Sequence, residues 1–418
     1  MTVMKKWCIP VLLLTSVVIY IGCTAGGGGP GTTLTPFSFP VYFPGDDGTN
    51  GAELWKSDGT AAGTVMVKDI NPGSDNSYPE YFVYVNGTVY FRADDGTNGV
   101  ELWKSNGTAA GTVMVKNINP VSEDSSPYDM TDVNGTIYFR ADDGTNGDEL
   151  WKSDGTEIGT VMVKNINPNA GVGSSAAQFA NLNGTLLFSA NDGTSGAELW
   201  KSDGSEGGTT MVIDMIEGSG SSAPGSLTNV NGTVYFVATE GTATGWELYK
   251  TDGTEIGTVM VKDIYTGTNN SSSPQYFCEL DGTCYFKARN LSYGFELWKT
   301  DGTEGGTVLV KDIRTGTEGS SPGYITNVDG TLFFSANDGT NGNELWKSDG
   351  TADGTVLVKD INVGSSYSDP GFLTDAGNFL FFKAYDESHA TEPWRSDGTA
   401  AGTVMIKDIY PDAGQGFY

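Results

Sequence analysis

Tryptophan keeps a fixed interval in this chain. Trp55, Trp103, Trp151, Trp200, Trp298, Trp346 and Trp394 stand at multiples of 48 or 49 residues, and Tyr249 takes the one vacant position. Each lies in the phrase Glu-Leu-Trp-Lys-Ser-Asp-Gly-Thr or a near copy, the first beginning at Glu53 and the last at Glu392. A repeat of this length is a unit that buries its apolar face only by stacking on its neighbours. Eight units fill nearly all of the 418 residues, so the length predicts one repeat architecture instead of two or three domains.

The second unit shows what each must form. Tyr81 to Val85, Val89 to Ala93, Glu101 to Lys104 and Thr112 to Lys116 are short β-branched and aromatic runs. Between them lie Asn86-Gly87, the turn Asp94 to Gly99 and Asn106-Gly107, the strongest local signals for hairpins. No segment holds a helical period. The expectation is an all-β chain, a single eight-bladed β-propeller of four-stranded antiparallel blades over residues 35–418. A closed ring also removes the sheet edges that an open stack would expose. The ends fit less well. No Asn-Gly hairpin precedes Val41-Tyr42-Phe43, and nine residues follow Ile409. That tail reads as too short for an innermost strand, leaving Thr33 to Phe39 to complete the first blade.

The first 22 residues read as a signal peptide: Lys5-Lys6, then an apolar stretch from Trp7 to Ile21 too short for a comfortable membrane span. Tyr20-Ile21-Gly22-Cys23 resembles a bacterial lipobox, which implies lipidation at Cys23. Residues 23–34 are a Gly-rich tether. The implied location is the outer membrane or cell surface, held by lipid alone. With Cys8 removed and Cys23 lipidated, Cys278 and Cys284 remain as a candidate disulfide across a hairpin.

The formal charge of −29, spread along the chain, argues against a nucleic-acid partner. The turns around Asp47, Asp95, Asp143 and Asp338 are rich in oxygen ligands and are candidate calcium loops, but they lack EF-hand spacing, and the same residues suit tight turns. The Asn-Gly-Thr triplets at Asn86, Asn134, Asn183 and Asn231 read as hairpin turns. The glutamate before each Leu-Trp pair recurs in every unit and reads as a brace. The one histidine, His389, reads as a loop residue without a nucleophile. The few basic residues show no arginine cluster for an acidic ligand.

Two resemblances follow. Ala93, Asp95, Gly99, Glu101 and Trp103 share the spacing of the tryptophan-docking motif of quinoprotein-type eight-bladed propellers, and Ala141 to Trp151, Ala190 to Trp200 and Ala336 to Trp346 repeat it. That resemblance implies that Trp55, Trp103, Trp151, Trp200, Tyr249, Trp298, Trp346 and Trp394 dock blades together, the indole N–H donating to a neighbouring carbonyl. The phrase itself resembles the ELWxxDGT repeat group of bacterial surface proteins. By fold analogy with a non-enzymatic propeller lipoprotein of outer-membrane assembly, the chain is expected to be a binding scaffold without enzymatic activity or cofactor. A monomeric ring with a protein or glycan partner is implied. The alternatives are a glycan-binding lectin-like propeller and a degenerate quinoprotein-like enzyme.

Overall fold

A computed structural model describes residues 35–120, 124–241, 244–411 and 414–417. The signal, Cys23 and the tether lie outside the described residues. Among the described residues every regular element is a strand, and the strands form eight sheets in chain order. Seven sheets have four strands and the first has three, and together they make an eight-bladed β-propeller.

Blade two shows the pattern: Glu80–Val85, Thr88–Asp94, Val100–Ser105 and Val113–Lys116 pair antiparallel in that order. The first strand of each complete blade lies beside the first strand of the next, around the ring axis. Asn86 and Gly87 both take positive φ, 50° and 87°, in the tight hairpin that joins the first two strands. The register sets Phe91 opposite Trp103 and Ala93 opposite Glu101. Because the pleat has period two, Trp103 then shares one face with Phe91. That face packs on Tyr42, Leu54, Val67 and Ile70 of blade one. The core is therefore a series of seams between blades, each built from two neighbouring units.

Polar groups close the seams as well. Lys56 Nζ donates to the Gly107 carbonyl of the next blade at 2.8 Å, and Lys68 Nζ donates to the Thr112 carbonyl at 2.8 Å. Lys407 of blade eight makes the second bond with Thr64 of blade one at 2.9 Å, and Arg395 makes the first with Gly59 at 3.1 Å. The ring thus closes with the same contacts that join its other blades.

The ends correct the sequence reading. Blade one has only Val41–Asp46, Ala52–Ser57 and Val65–Lys68. The C-terminal tail, short as it is, supplies the missing inner contact: Phe417 bridges Gly45 antiparallel, and the Asp46 N–H donates to the Gly416 carbonyl at 3.2 Å. Phe417 is buried and stacks on Phe43 at 4.9 Å between centroids. Phe37 does not complete the sheet. It packs instead against Gly59, at the end of blade one opposite to Phe417, and its N–H donates to the Asp58 carbonyl at 2.6 Å.

Candidate functional site

Repetition separates residues that hold the ring from residues that could read a ligand. The phrase residues are of the first kind. Asp58 Oδ1 accepts the N–H of Thr60 at 2.9 Å and its hydroxyl at 2.7 Å, and Thr60 Oγ1 accepts the Gly63 N–H at 3.0 Å. A Cβ on Gly63 would stand 2.0 Å from that carboxylate and would have to displace it from the turn. All eight repeated glutamates are fully buried. Glu53 accepts the N–H groups of Ile70 and Ser77 at 2.6 and 3.1 Å and the Ser77 hydroxyl at 2.7 Å, which ties down the crossing to the next blade. Burial pushes the Glu53 carboxyl up to about 7, against the pull of those donors.

The docking tryptophans lie in the seams. Trp55 joins blade one to Phe381, Ile406 and Ile409 of blade eight, Trp151 packs on Val115 and Ile118 of blade two, and Trp394 on Val358 and Ile361 of blade seven. Trp200, Trp298 and Trp346 occupy the corresponding seams, and Tyr249 fills the fifth, fully buried. The implied carbonyl partner is not found: the Nε1 atoms of Trp55, Trp103, Trp151, Trp200, Trp298 and Trp394 meet no acceptor. The indole faces a cation instead. Lys68 Nζ is 5.5 Å from the Trp103 ring centroid, and Lys407 Nζ is 5.4 Å from that of Trp55.

The candidate calcium loops are occupied by their own backbone. Asp47 Oδ1 accepts from the N–H groups of Thr49 and Asn50 at 2.9 and 3.0 Å, and Asp95, Asp143 and Asp338 repeat this with their turns. Partial burial would raise the Asp47 carboxyl, but these donors hold it below its ordinary value.

Cys278 and Cys284 are free and buried. The register pairs Cys278 with Tyr285 and Glu279 with Cys284, so the two thiols point to opposite faces of the blade. Cys278 faces the next seam and Cys284 the previous one. The disulfide considered from the sequence therefore does not form. His389 Nδ1 lies 2.9 Å from Asp386 Oδ1, and that carboxylate raises the imidazole pKa.

Symmetry breaks at one mouth of the axis. In each complete blade the first strand carries a bulge whose second residue has left-handed backbone: Tyr81, Asp129, Gln178, Ser226, Tyr276, Tyr324 and Phe372, with φ from 53° to 63°. Such φ values are uncommon away from glycine, and here they recur at the positions where the side chain differs from blade to blade. The side chains reach across blades. Asp129 Oδ2 accepts the Gln178 N–H at 2.7 Å, and Gln178 Oε1 accepts the Ser226 N–H at 2.6 Å. Burial raises the Asp129 carboxyl, opposed by the Gln178 N–H and by Arg140.

Opposite the start of these strands, one repeat position holds Arg92, Arg140, Lys287 and Lys383, against Ser189, Val237 and Ser335 elsewhere. Most other basic residues are the repeated staples. The Arg92 guanidinium lies 4.6 Å from the Tyr81 ring centroid and 5.8 Å from that of Tyr128, Tyr81 packs on Tyr128 at 4.3 Å, and Arg140 lies 4.6 Å from Tyr128. Two arginines thus flank a tyrosine pair between blades two and three, Arg92 paired with Glu80 and Arg140 Nε 4.0 Å from Asp148 Oδ2. Lys287 Nζ lies 4.6 Å from the Phe295 ring centroid, and burial lowers its pKa. A sequence signal existed: these cations all precede the docking alanine, at a repeat position where basic residues come and go between blades.

Neither protein-family models nor curated proteins give any match to this chain. Solved structures do. A puromycin hydrolase aligns with a TM-score of 0.53 at 15% identity, over 86% of this chain and 57% of its own. A second structure of a puromycin hydrolase, an S511A mutant complexed with PGG, aligns at 0.52 and 14%, over 80% and 54%. A puromycin-hydrolyzing peptidase of Mycobacterium tuberculosis aligns at 0.53 and 11%, over 81% and 54%. The chain spans a little over half the length of these proteins. At such identities the likeness shows the fold. It also corrects the expectation of a non-enzymatic scaffold. That expectation rested on analogy with a propeller that catalyses nothing, whereas the three solved structures above are two of a puromycin hydrolase and one of a puromycin-hydrolyzing peptidase.

Proposed function

We propose that this propeller serves amide-bond hydrolysis, as the part of a peptidase-type enzyme that binds aminoacyl or peptidyl substrate at the axial mouth. The observation that carries the reading is the break in symmetry there. The cations, and the side chains carried by the recurring left-handed bulges, vary between blades at one mouth, whereas the phrase turns at the opposite end repeat almost unchanged. Likeness to two puromycin-hydrolysing enzymes supplies the reaction class. Arginine and tyrosine faces suit the amide planes and aromatic groups of such substrates.

The blades contribute binding and orientation. His389 is engaged by Asp386, and burial pushes the Cys278 thiol up to about 12, out of the range of a useful nucleophile. Titration of the chain with puromycin and with a blocked peptide amide, with hydrolysis followed in parallel, tests the reading. Saturable binding that Arg140→Ala weakens is expected. The absence of both binding and turnover would overturn it.

Export with a lipid anchor at Cys23 is proposed alongside, on the lipobox-like run Tyr20 to Cys23. Cys23→Ser is expected to release the chain from membranes and to change its mature mass. Unchanged partition and mass would refute the anchor.

A further inference from the structure

Beside the closing tail lies a cavity of about 680 Å³, bordered among others by Asn362, Asp369, Lys383, Tyr385, Thr391 and Gln415. Its wall is built from the crossing between blades seven and eight, from blade eight and from the C-terminal tail. Where other blades continue an inner strand, blade one has the single bridge at Phe417, itself part of the cavity wall.

Lys383 is the cation of this cavity, and its partners differ from those of its counterpart in blade two. There Arg92 stands opposite Glu80 and forms an ion pair with it. In blade eight Gly371 stands opposite Lys383, and the stem of Lys383 lies across the space that a side chain would fill, its Cε 3.4 Å from a Cβ built on Gly371. Among the described residues the Lys383 ammonium has no carboxylate within ion-pair distance, and what it meets is the Phe417 ring, 5.7 Å from Nζ to centroid. A half-buried ammonium without a counter-ion is a costly arrangement, and burial lowers its pKa accordingly. The same wall carries an exposed carboxylate, Asp369, whose Oδ1 accepts from Asn343 Nδ2 at 3.0 Å while its Oδ2 meets no donor among the described residues, and neutral donors and acceptors on Asn362, Tyr385, Thr391 and Gln415.

We propose that this cavity binds a short zwitterionic peptide, its C-terminal carboxylate on Lys383 and its ammonium on Asp369. The inference rests on the amide-hydrolysis reading only for its choice of a peptide. The complementary charges and the polar wall are features of the cavity itself. Such a site would hold a peptide product or the free end of a substrate, beside the mouth where the arginines and tyrosines gather.

The test is binding of a dipeptide, of its C-terminal amide and of its N-acetyl form to the full chain, in wild type, Lys383→Gln and Asp369→Asn. Charge-assisted hydrogen bonds set the scale: the wild type should prefer the free acid over the amide by at least about tenfold. Lys383→Gln should erase that preference and leave the penalty for N-acetylation. Asp369→Asn should do the reverse. Equal binding of acid and amide by the wild type, a preference that survives Lys383→Gln, or no binding of any form would each overturn the proposal. Puromycin binding measured on the same variants separates the two readings. A dipeptide site without puromycin binding leaves this cavity standing and removes the substrate reading.

Discussion

Glu392 Oε1 accepts the backbone N–H of Gly416 at 3.1 Å, and Glu53 makes the same bond with Ser77 at 3.1 Å one blade further on. At Glu53 the bond steers the chain from blade one into the innermost strand of blade two. At Glu392 it steers the C-terminal tail to the inner edge of blade one. A brace repeated in every unit is thereby used a last time to close the ring, and Phe417 follows it into the seam with Phe43 and Phe381.

Closure can be tested at Phe417. The ring is buried, so Phe417→Ala should cost about 3–5 kcal/mol, as large-to-small core changes do. Urea unfolding measures this. A loss near zero would mean that the tail does not hold the ring.

Trp151→Ala should cost a similar amount, about 3–5 kcal/mol, because the indole fills the seam between blades two and three. Lys116, whose ammonium lies 5.8 Å from that ring centroid, is a milder probe: Lys116→Met should cost less than Trp151→Ala. An unchanged melting temperature for Trp151→Ala would contradict the packing.

The buried glutamates predict an unusual pH response. Burial raises Glu53, Glu344 and Glu392 from 4.5 to about 7, and the other five in the same direction. Between those values the folded chain holds more protons than the unfolded chain. Stability should therefore rise as the pH falls from about 7 towards 4.5, and decline as it rises again. Melting temperatures across that window should show this slope, and Glu344→Gln should reduce it by the share of one glutamate in eight. A fold that loses stability on mild acidification would contradict the sign.

The turn carboxylates predict little response to calcium, since Asp47 Oδ1 is already engaged by Thr49 and Asn50. Magnesium and calcium should shift the melting temperature alike, by screening the charge of −29. A large shift specific to calcium would instead direct attention to the buried Oδ1 of Asp69, which has no donor.

Much of the fold was legible because the tryptophan phrase and the Asn-Gly hairpins are local signals, repeated often enough to fix both strand order and blade number. Closure was not legible, since a single bridging residue, Phe417, carries no strand pattern. The bulges were hidden too: left-handed backbone at Tyr81, Gln178 or Phe372 follows from the geometry of the crossing and not from residue type. Cys278 and Cys284 looked like partners because their face depends on register, which a hairpin loop two residues long decides. The candidate site escaped because attention to repeated residues conceals it. Arg92, Arg140, Lys287 and Lys383 are conspicuous only once the units are laid over one another and the differences are read.

Hydrogen exchange of the full chain with and without saturating puromycin tests most directly the claim that the asymmetric mouth is the binding face. Protection is expected at the starts of the inner strands, around Tyr81, Asp129 and Phe372, with the Asn-Gly hairpins at Asn86 and Asn134 unaffected. Protection confined to those hairpins, or none at any peptide under saturating ligand, would contradict it.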